Sequence, residues 1–131
     1  MQIKSIDHLV ITVKDITVTI DFYTKILNMK ELSLQGKGVE INVLRFGDKR
    51  LHVHLAGKEI EPKALKATPG SSDICFTTET PITEVVKHLR KHNITIEKEP
   101  VLIIGTLGEM ESVWFRDPDG NLIEVAHYNI D

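Results

Sequence analysis

The chain has 131 residues, 41% of them hydrophobic and 27% charged, with a formal net charge of -3. That is enough apolar material for one compact domain or two small half-domains sharing a core. The mixed, mildly acidic charge excludes the basic face of a nucleic-acid protein, no apolar run reaches the length of a membrane span, and one cysteine cannot staple a fold.

Met1 to Ser5 runs straight into a strand pattern without the features of a secretory leader, so a cytoplasmic, reducing setting is expected. Ile6 to Val13 reads as a strand, with His8, Val10 and Thr12 on one face and Leu9, Ile11 and Val13 on the other. Asp15 offers an N-cap to a helix from Ile16 to Asn28, whose stripe is Ile16, Ile20, Tyr23 and Leu27. Strands are expected at Lys30 to Leu34, Val39 to Phe46 and Arg50 to Leu55, with turns at Gln35-Gly36-Lys37-Gly38 and Gly47-Asp48-Lys49. Ala56 to Ser72, with two prolines, two glycines and three lysines, reads as a linker holding at most one helical turn.

Asp73 to Thr77 resumes as a strand. Its Cys75, within Ile74-Cys75-Phe76, is expected to be a buried structural thiol. Thr80 and Pro81 look like the N-cap and first residue of a second helix with the stripe Ile82, Val85, Val86 and Leu89, stopping at Asn93. Strands follow at Ile94 to Glu97, Val101 to Ile104, Glu109 to Arg116 and Leu122 to Ala126, one of them ambiguous because Pro100, Gly105 and Gly108 interrupt the pattern. Between the last two, Asp117-Pro118-Asp119-Gly120 supplies turn chemistry.

The same β-α-β-β-β unit therefore occurs twice, at a period of about 65 residues. The expected fold class is α+β: two tandem β-α-β-β-β modules forming a curved sheet cup with helices outside. Module 1 is 1–56, the linker 57–72 and module 2 73–131, together one domain. Overlaying the halves puts Asp73 on His8, each opening its module's first strand. The last strands overlay with His54 on Glu124, and a slip of register puts His52 there instead. His52 and His54 lie two apart and share a strand face.

Glu124 is an acid inside an apolar strand, a costly placement without a compensating arginine, donor or metal. His8, His52 or His54, Asp73 and Glu124 at paired positions thus point to a divalent metal site. The plainer alternatives are that the histidines line a solvated face, that Asp73 is a cap, and that Glu124 pairs with Arg116 or Arg45. His88, His92 and His127 look peripheral.

Three segments carry a family resemblance: Ile6-Asp7-His8-Leu9-Val10-Ile11, the helix Thr19 to Met29, and Phe115-Arg-Asp-Pro-Asp-Gly-Asn-Leu-Ile-Glu124. In these the chain resembles the vicinal oxygen chelate superfamily of glyoxalases, extradiol dioxygenases, fosfomycin-modifying thiol transferases and bleomycin-binding proteins. The linker looks closest to a small glyoxalase-domain subgroup. The resemblance implies paired modules around one divalent metal (Mn, Fe, Ni, Co or Zn), a small-molecule substrate and a homodimer. His8 matches the family's first-strand histidine and Glu124 its last-strand glutamate. Asp73 departs from the usual histidine, and His52 or His54 stands near the place of a further ligand. The metal ligands are then expected among His8, His52, His54, Asp73 and Glu124, with Glu124 also the candidate general base. The function expected is Lewis-acid-assisted isomerisation, ring opening or group transfer. The alternative is a metal-free sequestering protein of the bleomycin-resistance type. A lysine lid for an anion, from Lys58, Lys63 and Lys66, is a further possibility.

Overall fold

Module 1 runs β1 (His8–Val13), α1 (Ile16–Lys25), β2 (Lys30–Gly36), β3 (Val39–Phe46) and β4 (Lys49–Leu55). The computed structural model describes residues 1–36 and 38–129, with backbone alone at Gly36 and Val39. Of the turn expected at 35–38, Lys37 lies outside the described residues. The sheet order is β1-β4-β3-β2, with β1 parallel to β4 and the other pairs antiparallel.

Asp15 caps α1 as expected: its Oδ1 accepts the Val18 N–H at 3.0 Å. Ile20 and Tyr23 on the helix are buried, as are Ile11, Val13, Leu44, Leu51 and Val53 on the strands. Truncating one of these core side chains to alanine costs about 2–5 kcal/mol. The helix ends at Lys25 and not at Asn28. Asn28 is left-handed (φ 54°), and Met29 N–H turns back to the Tyr23 carbonyl at 3.1 Å.

Module 2 repeats the pattern with β5 (Asp73–Thr77), α2 (Ile82–Lys91), β6 (Ile96–Gly105), β7 (Gly108–Arg116) and β8 (Leu122–Tyr128), in the sheet order β5-β8-β7-β6. Again the first strand is parallel to the last. Ile82 and Leu89 of α2, Val113 and Phe115 of β7, and Ile123 and Val125 of β8 are buried. The N-cap falls one residue later than expected. Pro81 holds that place with extended backbone, and its carbonyl accepts the Glu84 and Val85 N–H groups. At the far end Asn93 (φ 58°) stops the helix as expected. Ile94 N–H reaches the Leu89 carbonyl at 2.9 Å and Asn93 N–H the Arg90 carbonyl at 3.0 Å, a Schellman pattern.

The two short strands expected around Pro100 are one strand, β6, whose register shifts between Lys98 and Val101. Proline has no N–H to give the ladder, and an edge strand with a bulge tolerates it. Among the described residues, two four-stranded mixed sheets and two helices thus make two tandem β-α-β-β-β modules. The chain divides into two compact units, Met1–Gly70 and Ser71–Asp131, and residues 57–72 hold neither strand nor helix. No described helix is long and apolar enough to cross a membrane.

Candidate metal centre

Parallel pairing of first and last strands sets which side chains meet in each module. In module 1, His8 lies opposite Arg50, Val10 opposite His52, and Thr12 opposite His54. The rings of His8 and His52 stack with centroids 4.0 Å apart and planes 9° from parallel. His52, only 9% exposed, has a buried Nε2 with no hydrogen-bond partner. Burial, then the neighbouring His8 and Arg50 charges, pushes its pKa down to about 4, so at neutral pH it is an uncharged imidazole.

His8 is exposed and its Nδ1 sits 2.8 Å from Asp7 Oδ1. Asp7 is held below the usual carboxylate range first by that bond, so it is an acceptor and the ring nitrogen facing it donates. His54 falls one rung further along. Burial lowers its pKa, opposed by the carboxylate of Glu59. Of the two histidines left open by the sequence, the structure sets His52 against His8.

In module 2, Asp73 lies opposite Leu122, Cys75 opposite Glu124, and Thr77 opposite Ala126. Matching the parallel pairs of the two modules makes His8 equivalent to Asp73 and His52 equivalent to Glu124. The sequence overlay that put His54 on Glu124 is therefore corrected by one side-chain period. Glu124 Oε2 is buried with no hydrogen-bond partner. Arg116 does not compensate it: that guanidinium makes two bonds to Glu97, at 2.8 and 3.1 Å, and a third to the Gly120 carbonyl. Arg45 has no carboxylate partner among the described residues.

Cys75 is exposed, not buried, because β5 alternates exposed and half-covered residues. Its thiol is pushed up to about 12, by burial of the sulfur first and then by the charge of Glu124 and a hydrogen bond to it. Reading the period of two across Asp73 and Cys75 would have placed this thiol on the candidate face. Asp73 is exposed, one rung from Glu124.

The turn before β8 positions Glu124. Asp117, 5% exposed, accepts the N–H groups of Asp119 and Asn121 at 2.9 Å and the Asn121 side-chain amide at 2.7 Å. Asn121 Oδ1 in turn accepts Ser72 N–H at 2.8 Å, and Leu122 N–H bonds the Ser72 carbonyl. These bonds fix β5 against β8 in the register that brings Cys75 to Glu124. Gly120 takes the positive φ of 91° that the turn requires.

A sequence profile of the Glyoxalase/Bleomycin resistance protein/Dioxygenase superfamily matches residues 5–125. The chain belongs to that superfamily. This member is 44% identical to the virulence protein STM3117 of Salmonella typhimurium, over 98% of this chain and 87% of that protein. It is 42% identical to the glyoxalase domain-containing protein RDO1 of Mycosarcoma maydis, over 98% of this chain and 70% of that one. The integron cassette protein VCH_CASS1 from the mobile metagenome of V. cholerae superposes with a TM-score of 0.92 at 45% identity, covering 98% of both chains.

Members of the superfamily typically bind a divalent metal, and the donor types here suit one. A neutral imidazole and a carboxylate oxygen, both buried and both unpartnered, sit at equivalent positions of the two modules. Among the described residues no three His, Cys, Asp or Glu side chains gather closely enough to hold an ion. Two parallel rings share no in-plane point, so His8 or His52 must turn before both nitrogens can meet one ion. His88 and His92 sit at the C-terminal end of α2, and His127 Nδ1 is 3.0 Å from the Thr78 carbonyl.

Proposed function

We propose that the chain is a divalent-metal-dependent enzyme of the glyoxalase/dioxygenase type, with His8, His52 and Glu124 holding the ion. The observation that carries this reading is the pair of orphaned buried atoms, His52 Nε2 and Glu124 Oε2. Burying either without a partner costs about 1–3 kcal/mol, a cost that coordination to a cation removes. Two imidazoles and one carboxylate suit Mn, Fe, Co, Ni or Zn with positions left open for substrate oxygens.

When bound, the ion supplies Lewis-acid polarisation of those oxygens. The residues then divide the remaining work. Asp7 holds His8 in one tautomer through Nδ1. The Asp117–Asn121 network holds the strand that carries Glu124. Glu124 is the candidate general base, the group that would take a proton from a carbon acid or nucleophile. Cys75 lies beside it on β5, its thiol pushed up by burial and by Glu124, which works against a thiolate nucleophile there. Asp73 and His54 lie outside the proposed set.

The test is metal content of tag-free protein, measured for Mn, Fe, Co, Ni and Zn per chain. Near one equivalent in the wild type is expected, lost in His52→Ala and Glu124→Ala and retained in His54→Ala and Asp73→Ala. Loss in His54→Ala with retention in His52→Ala would overturn the ligand set. No metal in any variant after reconstitution would leave a metal-free small-molecule binder as the reading.

A further inference from the structure

One face of the module 1 sheet carries no carboxylate. Its positions follow from the strand registers. One rung is Lys30, Arg45, Arg50 and His8, the next Leu32, Val43, His52 and Val10, and the third ends in His54 and Thr12. Three cations therefore stand on three adjacent strands, each directly opposite the next, with neighbouring strands about 4.8 Å apart. Like charges placed directly opposite are destabilising. A chain of net charge -3 has acids enough to neutralise them.

The acids near this face are already committed. Asp7 is bound to His8 at 2.8 Å and lies 4.0 Å from Arg50. Glu59, toward the His54 end, is held by backbone N–H groups and by Lys63. Lys30 and Arg45 have no ion-pair partner among the described residues. Module 2 gives an internal comparison. Its equivalent rung is Asp73, Leu122 and Arg116, and there the one cation is neutralised by two bonds from Glu97. The same architecture pairs its arginine in one module and, in the other, leaves Lys30 and Arg45 beside Arg50 without an ion-pair partner among the described residues. The linker lysine Lys63, by contrast, is spent on Glu59 and Glu61.

We infer that the Lys30–Arg45–Arg50 row is the subsite for an oxyanion of the substrate, a carboxylate or a phosphonate, lying beside the His8–His52 pair. The inference rests on the proposed use of this face and adds the substrate class. Val10, exposed and opposite His52, offers apolar surface to the carbon body of the same molecule. Arg50 adjoins His8 in the ladder, so an anion seated on Arg45 and Arg50 places its neighbouring oxygens toward the histidines. Arginine also matches both geometries by two parallel N–H bonds.

The experiment uses the metal-free full chain, so that failure of metal binding and failure of the anion site are separate results. Phenylphosphonate and benzoate are titrated while amide and histidine ring signals are followed by NMR. Saturable shifts confined to Lys30, Arg45, Arg50 and His8 are expected, with affinity weakened about tenfold or more in Arg45→Gln. Arg116→Gln, which removes the neutralised arginine of module 2, is expected to bind as the wild type does. Each substituted site is on the surface, and thermal unfolding checks that the fold is kept. Tighter phenylphosphonate assigns a tetrahedral dianion and tighter benzoate a carboxylate, either of which supports the site. No saturable shift up to about 50 mM, a Kd beyond any useful affinity, overturns it. Equal binding by wild type and Arg45→Gln overturns it too.

Discussion

His52 shows how one residue couples stability to pH. The unfolded chain takes up its proton near pH 6.5, while the folded, metal-free protein resists until about pH 4. Between those values the unfolded state binds more protons. The contribution is therefore complete above pH 6.5 and declines as pH falls toward 4, by about 2–3 kcal/mol. Urea midpoints of wild type and His52→Gln at pH 7 and pH 4.5 check this. The wild type is expected to lose more than the variant, and parallel losses would refute it. At this scale the sequence was legible where a residue type conflicts with its surroundings, as with Glu124 in an apolar strand. It was silent between His52 and His54, because a period of two puts both on one face and only the ladder register separates them. Cys75 was misread for a similar reason: its apolar neighbours point to the other side of β5.

At the scale of elements, the Asp117–Asn121 turn is the fastening of module 2. Asn121→Ala removes the amide bond to Asp117 and the acceptor for Ser72 N–H, both in buried surroundings. A loss of about 2–4 kcal/mol is expected, two bonds each within the usual range for an unmade buried partner. Denaturant unfolding at unchanged m measures it, and a loss under 1 kcal/mol would show the turn to be replaceable. Gly105 is a second fixed point. A Cβ there would lie 2.7 Å from Met110 Sδ and Tyr128 Oη. Tyr128 Oη also accepts the Leu107 N–H that shapes the β6–β7 turn. Gly105→Ala is therefore expected to destabilise by about 1–3 kcal/mol, again read from the urea midpoint. Turn and cap chemistry made most element boundaries readable in advance. The exceptions, Pro81 at the cap and Pro100 inside β6, are places where the missing N–H of proline was met by local adjustment and not by ending the element.

At the scale of the whole molecule, the duplication itself was the most legible feature, because two helices with apolar stripes and two sets of strands recur in the same order. The site was less so, since its members come from opposite ends of each module. Saturating metal at 100 times its Kd should raise stability by about 2.7 kcal/mol. His52→Ala and Glu124→Ala are each expected to abolish that shift, and a shift kept in either would remove that residue from the proposed ligands. The parallel closure of each module also dictates an order of events. Antiparallel β3 and β4 are joined by a tight turn and pair early, whereas β1 reaches β4 only across a loop of roughly forty residues. β5 and β8 repeat that separation. The pairing that aligns His8 with His52 is thus expected to form late in its module, so that a nascent or partly folded chain would lack the assembled pair of imidazoles.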